Sequence, residues 1–182
     1  LKRDQAKKER ESMGRDTKHS EELIENAAIT RLEERGVTTK DIAELVYFLQ
    51  KDFYPELNET YCEEQVKHIL KKREVQNAIL TGIELDCLVE AGKAREPLQD
   101  LVKVDDSLYG IDEVLALSIL NIYGSIGFTN YGYIDRLKPG ILKGLNAKSN
   151  GKVHTFLDDI VGALAAAAAS RFAHSQKRKS ES

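Results

Sequence analysis

From Thr155 to about Ala173 the chain reads TFLDDIVGALAAAAASRFA, a helical stretch packed with alanine from Ala163 to Ala169. How closely two helices approach depends on the side chains between them, and alanine lets neighbours come near. Such a helix belongs near the centre of a bundle. Two aspartates, Asp158 and Asp159, open it and lead straight into Ile160 and Val161. Any fold that buries this helix must also settle where that pair of acids goes.

The rest of the chain also has the three- and four-residue spacing of amphipathic helices. Ser20 is placed to cap a helix through Leu23, Ile24, Ala27, Ala28 and Leu32, with Gly36 as its C-cap. Thr38 or Thr39 opens the next, which presents Ile42, Leu45, Val46 and Leu49 and ends by Pro55. Asn58 caps a third through Cys62, Val66, Ile69 and Leu70. A fourth, from Val75 to Gly92, is apolar over more of its circumference and should lie deeper. Pro97 leads a short helix to Val102, and Gly110 precedes an apolar helix from Ile111 to about Ile122. GSIGFTNYGYID, with Gly124, Gly127 and Gly132, reads as a close-packed turn and a poor helix. Pro139 starts a short helix through Leu145, and Asn146 to Gly151 is a polar loop. No stretch alternates as a strand does. The fold class is therefore all-α, a compact multi-helix bundle with the alanine-rich C-terminal helix near its centre.

With 182 residues, 41% hydrophobic and 31% charged, the chain suits one soluble domain with a substantial core. The domain is drawn from 20 to 176, between a charged extension at 1–19 and a basic tail at 177–182. The net charge of -3 is unevenly spread: residues 1–20 and 171–182 are each +3, which leaves the middle at -9. Basic ends of this kind are drawn to anionic membrane surfaces, although two solvated tails explain them as well. No nucleic-acid partner is expected, and homo-oligomerisation is left open. The first twenty residues are too charged for the apolar core of a signal peptide, and the run from Ile160 to Ala169 is half the length of a membrane span. Cys62 and Cys87 have neither disulfide-framework nor zinc spacing, so a reducing cytoplasm is the natural compartment, with peripheral contact at the inner membrane face as an extension of that reading.

Three acidic groups interrupt the apolar sequence: Asp112 with Glu113, Asp135 with Lys138, and Asp158 with Asp159. Each has a plain structural explanation. Thr155-x-x-Asp158 has the form of a capping box, Asp112 and Glu113 suit a first helical turn after Gly110, and Asp135 with Lys138 is an ordinary i, i+3 ion pair. Periodicity alone favours that explanation. Against it stands the company of Asp158 and Asp159: carboxylates beside a core are costly without a partner. Gathered together, such carboxylates suit a hard divalent cation, and a lysine among them suits phosphate. His154 is four residues before Asp158, where a hydrogen bond at the helix start accounts for it more simply than metal ligation. His19, His68 and His174 lie in charged surroundings and carry no site signal.

Taken together, IDE at 111–113, YIDRLKP at 133–139 and GKVHTFLDDIVGALAA at 151–166 resemble the phosphatidylglycerophosphatase A family, whose DE, D-x-x-K-P and DD-I-V elements occur in this order. Soluble members of that family extend the resemblance toward the N-terminus. The resemblance implies Mg²⁺-dependent release of the terminal phosphate of phosphatidylglycerophosphate. It implies that Asp112, Glu113, Asp158 and Asp159 hold Mg²⁺ or another divalent cation. Asp135, Lys138 and Asp158 are then the catalytic residues, with Lys138 on a phosphate oxygen and Asp135 orienting it or completing the metal shell. Water is the expected nucleophile, since neither DxDxT nor C-x5-R occurs; an aspartyl nucleophile stays open. A phosphatase for a soluble phosphomonoester and a non-catalytic interaction module are the alternatives, the first because no spanning segment accompanies the motif.

Overall fold

The computed structural model describes residues 20–147 and 151–180, with side chains to residue 176. The extension expected at 1–19 and the middle of the Asn146–Gly151 loop lie outside the described residues. Helix α1 covers residues 20–34, followed by α2 (Thr39–Gln50), α3 (Glu59–Leu70), α4 (Arg73–Glu90), α5 (Leu98–Val104), α6 (Ile111–Leu120), α7 (Gly124–Leu137), α8 (Ile141–Leu145) and α9 (Leu157–Ser180). Among the described residues there is no strand, so the fold is all-α.

Local chemistry fixes most of the boundaries. Thr38 caps α2 in a complete capping box with Asp41, and the Asn58 side chain accepts from the backbone N–H of Tyr61 at the start of α3. Gly36 and Gly92 take left-handed backbone just after α1 and α4, where the Val37 and Lys93 N–H groups reach back to Leu32 O and Leu88 O at 2.9 and 2.8 Å. Ser20, expected as a cap, is already helical. Helix α9 begins later than expected and continues to Ser180, past the boundary drawn at residue 176.

The core is arranged around α9. Every residue from Thr155 to Ser170 is buried, and α2, α3, α4, α6, α7 and α8 all pack against this helix. Close approach is visible at Gly82 on α4, where an added Cβ would overlap Ile160 Cδ1 and press on Phe156 Cβ at 3.0 Å. Packing all round the helix is what the small side chains permit.

The glycine-rich passage expected as a turn is α7. Gly127, Tyr131 and Ile134 recur at four- and three-residue intervals on its buried face, and Tyr131 and Ile134 lie against Gly162 of α9. Burial of that face outweighs the roughly 1 kcal/mol that each interior glycine costs a helix.

Candidate phosphate and cation site

Five segments converge near the start of α9 on an open cleft of about 230 Å³. It is lined by Asp105, Asp106, Ser107 and Gly110 from the α5–α6 connection, Asp112 and Glu113 from α6, Asp135 and Lys138 from the end of α7, Asn146, and Asp158 and Asp159 from α9. All six candidate side chains line this one cleft. Asp112, Asp158 and Asp159 are buried, whereas Glu113 is exposed at the mouth.

Lys138 sits among the acids. Its Nζ is 2.6 Å from Asp135 Oδ1, 2.8 Å from Asp158 Oδ2 and 3.7 Å from Asp159 Oδ1. The residue closes α7 in left-handed backbone, with φ 44°. Asp105, which closes α5, has φ 55°, and these two are the non-glycine residues with positive φ among the described residues. Left-handed backbone costs an L-residue about 1–2 kcal/mol, so the fold places both of these departures at one cleft.

One ammonium shared among several acids leaves the cleft short of positive charge. Burial raises the Asp159 carboxyl to about 8, and the charge of Asp158 adds to the effect, against the pull of Lys138. Burial likewise pushes Asp158 and Asp112 above the usual carboxylate range, with Lys138 opposing it in both. For Lys138, burial works to lower the pKa, but the carboxylates of Asp158 and Asp135 prevail and raise it. The lysine therefore keeps its charge at any working pH, while its partners hold protons more readily than exposed acids do.

The Thr155–Asp158 capping box expected from sequence does not form. The Thr155 hydroxyl donates to Val102 O at 2.7 Å, and Asp158 Oδ1 accepts from the Asp159 N–H at 3.0 Å. The start of α9 is satisfied instead by Asp86, a fully buried residue of α4. Asp86 Oδ1 accepts from Phe156 N at 3.1 Å, and Oδ2 accepts from Phe156 N and Leu157 N at 3.2 and 3.0 Å. Burial pushes Asp86 up to about 7, against those backbone donors. The sequence reading missed it. The available signal was an aspartate within an apolar helical stretch, IELDCLVE, where it needs a partner. With Asp86 holding the Phe156 and Leu157 N–H groups, the capping left to Asp158 is the Asp159 N–H through Oδ1, and its Oδ2 faces Lys138.

An all-oxygen donor set suits Mg²⁺ or another hard cation, and Asp112 Oδ1 is buried with no hydrogen-bond partner. Among the described residues, however, no three His, Cys, Asp or Glu side chains stand closely enough to ligate one ion. The donor types suit such a cation in kind, while their spacing in this structure does not form a ligand shell. His154 lies outside the lining of this cleft, and its Nδ1 is 3.1 Å from Leu145 O at the end of α8, so its partner is another helix and not the start of α9.

The family model for phosphatidylglycerophosphatase A matches residues 29–174. The chain belongs to this family. The Bacillus subtilis (strain 168) protein called Uncharacterized protein YutG is 66% identical over 151 residues, which are 83% of this chain and 91% of that one. The structure of a protein of unknown function from Bacillus stearothermophilus superposes with a TM-score of 0.82 at 64% identity, covering 83% of this chain and 94% of the other. The crystal structure of low temperature requirement C protein from Listeria monocytogenes gives a TM-score of 0.83 at 60% identity, covering 85% and 97%. The phosphatidylglycerophosphatase A match spans every residue lining the cleft. None of the described helices is long and apolar enough to cross a membrane.

Proposed function

We propose that this chain is a divalent-cation-dependent phosphomonoester hydrolase that releases the terminal phosphate of phosphatidylglycerophosphate. The observation that carries the reading is the meeting of Asp112, Asp135, Lys138, Asp158 and Asp159, distant in sequence, in one cleft with an uncompensated excess of acid. A structural role for the acids would not require them to gather, because like charges in a partly buried space oppose one another.

Asp112, Glu113, Asp158 and Asp159 would hold Mg²⁺ or a similar cation. When bound, the cation offsets the charge of the phosphate oxygens and of the departing alkoxide. The other roles belong to this chain's own groups. Lys138, permanently charged, exchanges one carboxylate partner for a phosphate oxygen and keeps the other. Asp135 is the partner it keeps, through the 2.6 Å contact that fixes the ammonium at the rim. Asp158, 2.8 Å from the ammonium before substrate binds, is the partner released, and it then serves as a cation ligand. Water is the nucleophile. Burial of Asp158 and Asp159 keeps the reacting phosphate against protein charge that bulk water screens little.

The test is release of phosphate from phosphatidylglycerophosphate in mixed micelles, with and without Mg²⁺. Turnover should need the cation, and Asp158→Asn should abolish it while helical content is unchanged. Persistent turnover in Asp158→Asn with only a lowered melting temperature would return the acids to a structural role. Running sn-glycerol 3-phosphate in parallel distinguishes the lipid from a soluble phosphomonoester.

A further inference from the structure

Among the described residues a few buried side-chain polar atoms make no hydrogen bond, and one of them, the Tyr131 hydroxyl, lies behind the wall of the acidic cleft. Tyr131 is 8% exposed and belongs to the buried face of α7, with Gly127 and Ile134. Its ring edge rests on Gly162 of α9, where an added Cβ would stand 3.5 Å from Cε2 and 3.7 Å from Cδ2. Gly162 is three residues beyond Asp159, so the face of α9 that receives the ring also carries this acid. Burial pushes the phenol above its ordinary range, and the charges of Asp159 and Asp135 push the same way. The hydroxyl therefore faces Asp159, just short of hydrogen-bond geometry. A ring packed on Gly162 for its own sake needs no oxygen: phenylalanine fills the same space without burying an unpartnered hydroxyl, which costs stability.

Asp159, for its part, is short of donors. Its contact with Lys138 is 3.7 Å, whereas the ammonium stands 2.6 Å from Asp135 and 2.8 Å from Asp158. Asp158, Asp135 and Asp112 surround it with like charge. We propose that Tyr131 is a positioning residue of the candidate site, its hydroxyl donating to one Asp159 oxygen from behind and turning the other into the cleft. The inference rests on the reading of the cleft as a cation-dependent phosphatase site. A carboxylate ligand turns about its own bond unless one oxygen is tied, and a hydrogen bond from outside the ligand set ties it. Rotation of the Asp159 carboxylate completes the bond. A neutral O–H serves this purpose without adding charge, and it leaves the Lys138 ammonium to Asp135 and the phosphate. Tyr131 does not line the cleft, so it acts through Asp159 alone.

Tyr131→Phe removes one oxygen and leaves the ring on Gly162, which makes it the deciding variant. Without cation it should melt no lower than the wild type, because the group it loses is buried and unpartnered. With no substrate present, melting temperature followed against Mg²⁺ should give a half-saturating concentration about tenfold higher than the wild type's, the size of effect expected when a ligand loses the partner that orients it. On phosphatidylglycerophosphate in mixed micelles, at saturating Mg²⁺, kcat should fall about tenfold while KM stays within about twofold. Tyr123→Phe is the control. It removes another buried, unpartnered hydroxyl, from a residue whose carbonyl accepts from Ser170, about three turns of α9 beyond Asp159, and it should change neither quantity. A half-saturating Mg²⁺ concentration in Tyr131→Phe equal to the wild type's overturns the inference, as does a wild type that Mg²⁺ does not stabilise. A shift confined to Tyr131→Phe, in a protein that releases no phosphate from the lipid or from sn-glycerol 3-phosphate, supports the positioning role and removes the catalytic reading. An active wild type with an indifferent Tyr131→Phe does the reverse, so the two can fail separately.

Discussion

Two clefts lie at opposite ends of α9, and they differ in kind. The one near its C-terminal end, lined by Phe53, Tyr54, Pro55, Leu57, Tyr61 and Phe172 among others, is the larger at about 370 Å³. Its walls are aromatic: Phe172 meets Tyr54 and Tyr61 edge to face, with ring centroids 4.9 and 5.9 Å apart. The acidic cleft is smaller, yet it holds buried carboxylates, a shared ammonium and both left-handed non-glycine residues. The aromatic cleft is what results when large rings pack at a bundle's end. The acidic one carries costs that packing alone would not select. Energetic cost, and not size, therefore singles out the acidic end of the helix as the candidate site.

The sharpest way to break the comparison is at Asp158. Asp158→Asn should lower phosphate release by about 10³-fold or more, in line with loss of a principal electrostatic contact in an active site. Next comes Phe172→Ala in the other cleft. It should cost about 3–5 kcal/mol of stability in a denaturant titration, as large-to-small core changes do, while the folded fraction keeps kcat within about twofold. A collapse of kcat in that variant would join the two ends into one functional unit. Lys138→Met should then reduce kcat about 10²-fold and remove the charge that Asp135 holds in place. Asp159→Asn tests the excess of acid directly. An unfolded chain gives up the Asp159 proton near its ordinary pKa of 3.8, whereas the folded chain holds it to about 8, so this residue's contribution to stability is full below pH 4 and falls as pH rises to 8. Without added cation, the variant should melt a few degrees above wild type at pH 8 and close to it at pH 4, and Mg²⁺ should raise the wild type's melting temperature more than the variant's. A gap that narrows with pH would mean that Lys138 fully neutralises the pair. The smallest effect is expected at Phe53→Ala, which should stay within about 0.5 kcal/mol of wild type and leave kcat unchanged.

Much of the bundle was legible because its signals are local. Thr38, Asn58, Gly36 and Gly92 act on neighbours within a few residues, and the apolar spacing of α2 to α4 names their buried faces. Helix α7 was obscured because three glycines argue locally for a turn, while the deciding interaction, Tyr131 and Ile134 against Gly162, spans about thirty residues of sequence. The same distinction governs the site. Acid pairs beside apolar sequence pointed to the six side chains, and the family motif gave their order. Thr155 was misread because its hydroxyl bonds to Val102 O, 53 residues away, and Asp86 was missed because its partners lie 70 and 71 residues on. Local patterns cannot reveal a cap supplied by a different helix.

That borrowed cap has a consequence for how the chain can vary. With its first turn pinned by Asp86 and its flank pressed into Gly82, α9 has a fixed angular setting, like a key in a lock with many wards. One residue inserted between Ile160 and Ser170 would leave Asp158 beside Lys138 but turn everything beyond by about 100°. Phe172 would swing away from Tyr54 and Tyr61. Changes of length should therefore be confined to the connections between helices, and the alanine run should keep its number even where its letters change.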